Sequence, residues 1–165
     1  MRTTKIMTLG TITLCAMLAI LRGTGIAQNG PVYPDGNKIE GVWDSQLIYR
    51  NCATGDVLFT GQSLVAYAQG GVVTAITSGA APSTRSPGLG VWTHITGREY
   101  QSTFKEFRYN ADGTFAGKVI AVVNVTHELD DTLTTSAVGR FYNTAGVLVG
   151  MVCPSGVATR FTGEQ

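Results

Sequence analysis

The chain has 165 residues, with 12 lysines and arginines against 11 aspartates and glutamates, so its formal net charge is only +1. A surface that binds nucleic acid needs a clear excess of basic side chains, and this balance argues against that class of function. The length suits one ordinary domain with a single core.

The first 27 residues have the three parts of a secretory signal peptide. Arg2 and Lys5 form the positive start, residues 6–21 are almost wholly apolar or small, and Gly25 and Ala27 occupy the last positions of a small-residue cleavage site. The alternative is a transmembrane anchor, which needs about 18–20 apolar residues, and this run is at the short end of that length. Cleavage after Ala27 removes three basic residues and no acidic one, which leaves 138 residues with a formal charge of −2. The sequence therefore predicts a secreted or periplasmic protein without a membrane-binding basic patch.

Residues 28–38 are rich in proline and glycine and are predicted to form a flexible leader, or alternatively a cap that lies over the domain. After them the chain alternates between strand and turn patterns. β-branched and aromatic residues dominate the segments between turns, and no long stretch repeats apolar residues at helical spacing. Residues 110–113 and 143–146 each run from Asn to Gly, which is typical of a type I hairpin turn with a left-handed glycine. Only the segment 78–88 is long, and it is predicted to be a mobile surface loop. The predicted strands are residues 41–51, 57–68, 72–77, 89–96, 100–109, 114–127, 132–142, 147–152 and 158–162.

Short antiparallel strands joined by tight turns must bury one face of a twisted sheet and protect its two edges. Closing the sheet on itself removes both edges. We therefore predict an all-β domain over residues 39–165, built as an antiparallel up-and-down barrel of eight or nine strands. A two-sheet sandwich is the alternative, and the regular hairpins between neighbouring strands favour the barrel.

Two cysteines, Cys52 and Cys153, remain once Cys15 leaves with the signal peptide. In an oxidising compartment such a pair most often forms a disulfide, which here would link the first strand to a late one. Unpaired thiols or a bridge between chains are the alternatives. In a strictly alternating meander, the ends of the first and eighth predicted strands lie at opposite rims, so the bridge conflicts with one predicted strand end.

The segment Gly41-Val42-Trp43, at the start of the first predicted strand, resembles the Gly-x-Trp signature of lipocalins and the wider calycin group. In those proteins the tryptophan packs across the bottom of an eight-stranded up-and-down barrel. The resemblance covers the barrel plan over residues 41–162, and the chain lacks a clear Thr-Asp-Tyr segment and a predicted C-terminal helix. The resemblance implies that the barrel holds a small apolar ligand in its interior.

Two predicted strands mix polar side chains into apolar surroundings. Alternation places Trp92 and His94 on one face of the fourth strand, and it places Tyr100, Glu106 and Arg108 on one face of the fifth. If both faces point inward, the cavity has apolar walls and a few fixed polar groups, as small-molecule sites do. In the alternative, the Glu106 and Arg108 side chains face water and pair loosely. The predicted ligand-binding residues are Trp43, Trp92, His94, Tyr100, Phe104, Glu106 and Arg108.

Motifs for other chemistries are missing. His94 and His127 are the only histidines, they lie 33 residues apart, and no third ligand accompanies them, so no metal site is predicted. The sequence has no Gly-x-Ser-x-Gly nucleophile motif and no glycine-rich phosphate loop, so no nucleotide or other cofactor is predicted.

Three functions remain open. The first is a barrel that binds a small apolar molecule in its interior. The second is a small isomerase or cyclase that uses His94 and Glu106 as its acid–base pair. The third is a structural or interaction domain with a filled core. The contents of the barrel interior decide between them.

Overall fold

A computed structural model of the protein describes residues 38–163. The predicted signal peptide, and all of the predicted leader except Lys38, lie outside these residues. The described chain forms eight strands, with one turn of 3₁₀ helix at Pro82–Thr84. The strands are β1 Gly41–Arg50, β2 Val57–Ala68, β3 Val72–Thr77, β4 Gly88–Thr96, β5 Glu99–Tyr109, β6 Phe115–His127, β7 Thr132–Tyr142 and β8 Leu148–Arg160.

The eight strands form a closed up-and-down barrel. Each strand pairs antiparallel with the next, and β8 returns to pair antiparallel with β1, with Trp43 opposite Arg160 and Arg50 opposite Cys153. The even number of strands lets this last pairing be antiparallel like the others. The predicted all-β barrel is confirmed, and the two-sheet alternative is wrong.

The last two predicted strands, residues 147–152 and 158–162, are a single strand, β8. Pro154 and Gly156 lie between them and led to the prediction of a turn, because both residue types favour turns. In the structure both remain in the ladder with β1. Glycine at 156 permits this, since a Cβ there would lie 2.3 Å from the carbonyl oxygen of Gln46. The prediction of a separate ninth strand was therefore wrong.

The predicted disulfide between Cys52 and Cys153 is confirmed, with the two Cα atoms 5.1 Å apart. Cys153 is not at the end of its strand but within β8, level with the last residue of β1. The conflict between the bridge and the strand ends therefore disappears. A disulfide is compatible with an oxidising compartment, either extracellular or periplasmic.

The predicted hairpin turns at residues 110–113 and 143–146 are also confirmed. Gly113 has a φ of +82° and Gly146 a φ of +80°, in the left-handed region that glycine adopts without strain. In each turn the glycine N–H donates to the carbonyl of the asparagine three residues earlier, at 2.9 and 3.0 Å. These turns set the register of β5 with β6 and of β7 with β8.

The two ends of the barrel are packed differently. At the plugged end, where β1 begins and β8 ends, large side chains meet on the barrel axis. The Trp43 indole N–H donates to the carbonyl of Ile39 at 2.8 Å, and both residues are fully buried. The opposite end, where β1 finishes, is called the open end below. The core cluster at the plugged end consists of Ile39, Trp43, Tyr67, Val73, Trp92, Tyr100, Val125, Leu133 and Ala158.

Candidate functional site

A cavity of about 100 Å³ occupies the barrel interior between the plugged end and the open end. It exists because many inward positions halfway along the strands carry small residues, which leave the axis unfilled. Water-sized spaces need only about 10–15 Å³, so this cavity has room for more than one or two solvent molecules. The small lining residues are Ser45, Ser63, Ala75, Ala121, Ala137 and Gly139.

The walls of this cavity are mainly apolar. Tyr67 and Leu133 of the core cluster form its floor. Burial raises the pKa of Tyr67 to about 12, so its hydroxyl is neutral at physiological pH. The apolar wall residues are Leu47, Val65, Phe104, Val119, Val123, Phe141 and Val152.

A polar cluster stands at the open end of the cavity. Glu106 of β5 is 5% exposed, and the nearest atoms of its ion pair with Arg85 are Nε and Oε2, at 3.3 Å. Tyr49 of β1 and Thr77 of β3 complete the group, and both line the cavity beside Arg85. We refer to Tyr49, Thr77, Arg85 and Glu106 as the polar cluster.

Burial governs the titration of the two acidic groups in the polar cluster. Desolvation raises the pKa of the Glu106 carboxyl, and the nearby Arg85 guanidinium partly opposes this effect. Desolvation also raises the pKa of the Tyr49 hydroxyl, and Arg85 again acts in the opposite direction. The charge of Arg85 therefore helps Glu106 to ionise in a place where water does not reach it well.

The loop between β3 and β4 brings Arg85 to this position. The Phe107 N–H donates to the Ser86 hydroxyl at 2.9 Å, and the Ser86 N–H donates to the Phe107 carbonyl at 3.0 Å. Arg85 itself forms an isolated antiparallel bridge with Arg108. The segment predicted as a mobile surface loop is thus attached to β5 beside the cavity.

Glycine at position 88 makes room for the side chains of the site. A Cβ at Gly88 would lie 2.7 Å from the Phe104 ring and 3.3 Å from the Cγ of Glu106. Any larger residue at the start of β4 would therefore push both side chains from their places. Glycine at position 88 is therefore required for this part of the cavity wall and for the position of Glu106 in its pair with Arg85.

The structure places the predicted site residues in three groups: some line the cavity, some belong to the core cluster, and two lie outside both. Phe104 and Glu106 line the cavity. The remaining aromatic residues, Trp43, Trp92 and Tyr100, are buried in the core cluster at the plugged end. Trp92 packs against Tyr67 and Tyr100 packs against Trp92, so this cluster lies beneath the floor of the cavity and these three residues do not line it.

His94 and Arg108 lie away from the cavity lining. His94 is half-buried near the plugged end, where its Nε2 lies 2.8 Å from the carbonyl oxygen of Gly97. Arg108 is exposed at the open end, with its guanidinium 5.2 Å from the centre of the Phe141 ring. His94 is paired with Tyr100, six residues from Glu106 along β5. At about 3.3 Å per residue, this separates His94 from Glu106 by roughly 20 Å, so the structure does not bring the proposed acid–base pair together.

Sequence reasoning missed Tyr49, Thr77 and Arg85. Arg85 was overlooked because it lies in a polar loop, but a signal was present. It is the only Asp, Glu, Lys or Arg between Val57 and Gly97. A single charge in so long a neutral stretch is the sequence feature that sets Arg85 apart.

A second set of charged groups braces the plugged end from outside. Arg160 donates to the Asp131 carboxylate from Nε at 2.9 Å and from Nη2 at 3.0 Å. His127 is 2% exposed, and its Nε2 lies 2.9 Å from Asp131 Oδ1. Arg98 donates to the carbonyls of His127 and Glu128. These contacts hold the β6–β7 turn against the end of β8 and do not face the cavity.

Within residues 38–163, no three His, Cys, Asp or Glu side chains converge as a metal site requires. In the same part of the chain, no helix is long and apolar enough to cross a membrane. Comparison with the models of known protein families, and with curated proteins, finds no match to this chain.

Proposed function

We propose that this protein binds a small, largely apolar molecule inside its barrel. The observation that carries the proposal is the cavity of about 100 Å³, which has apolar walls and one compact polar cluster. Enclosed apolar space with a few convergent polar groups is the usual composition of a small-molecule site. A barrel whose only task was structural would be expected to fill this space, because unfilled core volume costs stability.

Two further features support this reading. The Gly41-Val42-Trp43 segment resembles the lipocalin signature, and its tryptophan packs at the plugged end of an eight-stranded barrel. The signal-peptide pattern of residues 1–27 and the disulfide agree with a secreted or periplasmic protein. A binding protein in such a compartment would protect or carry a poorly soluble molecule.

The rival functions receive less support from the structure. The isomerase or cyclase hypothesis needs His94 and Glu106 in contact, and the register of β4 with β5 holds them apart. The filled-core hypothesis describes the plugged end well but not the half of the barrel that contains the cavity.

A cavity-filling variant tests the proposal. An apolar fluorescent dye and a panel of lipophilic molecules would be titrated into the wild type and into Ala137→Phe, whose new ring would occupy the cavity. Val138→Phe is the matched control, because the neighbouring residue points to the outer face of β7. We expect the wild type and Val138→Phe to bind the dye and to gain thermal stability with at least one ligand, and Ala137→Phe to lose both effects. Ala121→Leu offers a milder filling if the phenylalanine overpacks the interior. Equal binding by the filled and control variants would contradict the proposal.

A further inference from the structure

The Arg85–Glu106 pair is an unusual feature for the end of an apolar cavity. Glu106 is 5% exposed and the Arg85 side chain is 22% exposed, so both charges are largely removed from water. Buried ion pairs seldom add stability over apolar residues of similar size, because desolvation costs about as much as the attraction returns. A role in recognising a ligand accounts for a pair that stability alone does not require.

The geometry of the pair leaves room for a third group. Its closest contact is 3.3 Å, whereas charge-assisted hydrogen bonds between a guanidinium and a carboxylate are typically about 2.7–2.9 Å. A guanidinium has five N–H donors, and Glu106 approaches Arg85 most closely at the single atom Nε. The side chains of both residues line the cavity. The Tyr49 hydroxyl also accepts a hydrogen bond from Arg85. Tyr49 and Glu106 together leave some of the five guanidinium donors for a third group.

We propose that the ligand of this cavity is a small apolar monocarboxylic acid, whose carboxylate binds Arg85 while Glu106 takes up one proton. This inference rests on the proposed binding function and specifies the head group of the ligand. The apolar tail would lie between Phe104 and the floor at Leu133, and the head group would lie at the open end.

The proton uptake follows from electrostatics. Two carboxylates that share one guanidinium in a poorly hydrated place cannot both remain ionised without strong repulsion. Glu106 is the group that gains the proton, because desolvation already opposes its ionisation. Once protonated, its O–H donates to the ligand carboxylate, so both oxygens of the ligand have donors. No covalent bond changes, and the proton comes from the solvent.

Among residues 38–163, the charged side chains that line the cavity are Arg85 and Glu106 themselves. The titratable groups that influence its carboxyl or share its cluster are Arg85 from the β3–β4 loop and Tyr49 from β1. On the neighbouring strands, β6 presents Val119 opposite Glu106, and β4 presents Gly88 beside it. An amine head group would place a second positive charge beside Arg85, and an alcohol would bind without need of a proton. A carboxylic acid, in contrast, accepts hydrogen bonds from the remaining Arg85 donors, and its negative charge favours protonation of the Glu106 carboxyl.

Three probes with one tail and different head groups test this inference: octanoic acid, octanol and octylamine. Binding to the full mature protein would be measured by calorimetry from mildly acidic to mildly alkaline pH, in buffers of different ionisation enthalpy. We expect octanoic acid to bind about tenfold or more tightly than octanol, as a charge-assisted hydrogen bond of roughly 1.5–3 kcal/mol implies. We expect uptake of about one proton per acid bound, with affinity falling by about tenfold per pH unit on the alkaline side.

Variants separate the two residues. Arg85→Leu should lose the preference for the acid and keep octanol binding. Glu106→Gln should bind octanoic acid without proton uptake and with little dependence on pH. Lys105→Leu, which removes a charge from the outer face of β5 next to Glu106, should behave as the wild type does. If octanol binds as tightly as octanoic acid to the wild type, the acid head group is wrong and the apolar binding function stands. If none of the probes binds and the apolar dye does not bind either, both proposals fail.

Discussion

The Arg160 guanidinium lies over the indole ring of Trp43, with its Cζ atom 4.2 Å from the centre of the ring. The same guanidinium donates to the Asp131 carboxylate and to the carbonyl of Glu40. A residue at the end of β8 thus joins the first strand, the β6–β7 turn and the chain that enters the barrel. This contact closes the barrel from outside, at the end that the core cluster fills from within.

Replacing Arg160 with methionine should weaken the whole barrel. A cation over an aromatic ring contributes about 0.5–2 kcal/mol and an exposed ion pair about 0–1 kcal/mol, so we expect a loss of roughly 1–3 kcal/mol. Urea unfolding would measure it. Arg108→Met is the matched control, since Arg108 also lies over a ring, that of Phe141, but at the exposed open end. An equal loss in the two variants would show that the Trp43 contact has no special weight.

Stability should fall in acid through Asp131. Hydrogen bonds from Arg160 lower the pKa of its carboxyl from 3.8 to about 2. Because the folded-state pKa is below the unfolded one, the stabilisation is fully present above about pH 4 and is lost as the pH falls toward 2. Asp131→Asn should therefore be less stable at neutral pH and should flatten the acid limb of stability against pH. Asp44→Asn, on the outer face of β1, serves as control, and an unchanged acid limb in Asp131→Asn would contradict the expectation.

Replacing Arg85 with leucine should lower stability more at neutral pH than in acid, which is the opposite of the pH dependence expected for the wild type through Asp131. In Arg85→Leu the buried Glu106 loses its cation, so its pKa rises further and its ionised form becomes costly. We expect a loss of roughly 1–3 kcal/mol at neutral pH, below the full value for a buried pair because Arg85 is partly exposed. A carboxyl with a raised pKa stabilises the fold at low pH and ceases to do so as the pH rises through that pKa. The defect should therefore shrink as the pH falls, as denaturant unfolding at several pH values would reveal.

The double variant Arg85→Leu with Glu106→Gln provides the check on that result. It has no buried carboxyl to ionise, so its stability relative to the wild type should be almost independent of pH in this range. A defect that is the same at every pH in the single variant would mean that lost packing, rather than charge, is responsible.

Loss of the disulfide should lower stability without changing the fold. The bridge joins residues 101 positions apart. Closing a loop of that size lowers the conformational entropy of the unfolded chain and so raises its free energy by up to about 4–5 kcal/mol. The paired variant Cys52→Ser with Cys153→Ser and the reduced wild type should both unfold at lower guanidinium concentrations, by the same amount. A larger loss in the serine variant than in the reduced protein would indicate that the side chains also matter for packing.

The barrel was predictable because its determinants are local. The Asn-to-Gly turns and the alternation of apolar side chains fix the order and pairing of β5 to β8. The error at Pro154 and Gly156 arose because turn-forming residues also occur within strands when a neighbouring strand approaches closely. Single-residue preferences do not contain that tertiary information.

The site was predictable only in part, for a related reason. Alternation placed Glu106 and Phe104 on one face of β5 without showing whether it points inward, and both residues are found inside the barrel. It could not tell which inner positions lie beside the cavity and which lie in the core cluster, as Trp92 does. The partner of Glu106 comes from a loop, where no periodicity shows which way a side chain points. The hollow itself depends on the combined small volumes of residues from several strands.

Pairing of β1 with β8 also fixes where the chain enters and leaves the barrel. Gly41 and Arg160 lie at the same end, which is the end blocked by the core cluster and remote from the polar cluster. A tether attached beside residue 38 or residue 163, the first and last described residues, should therefore leave the mouth of the barrel facing the solution. Immobilised protein can be used for binding measurements without obstructing the route to the interior.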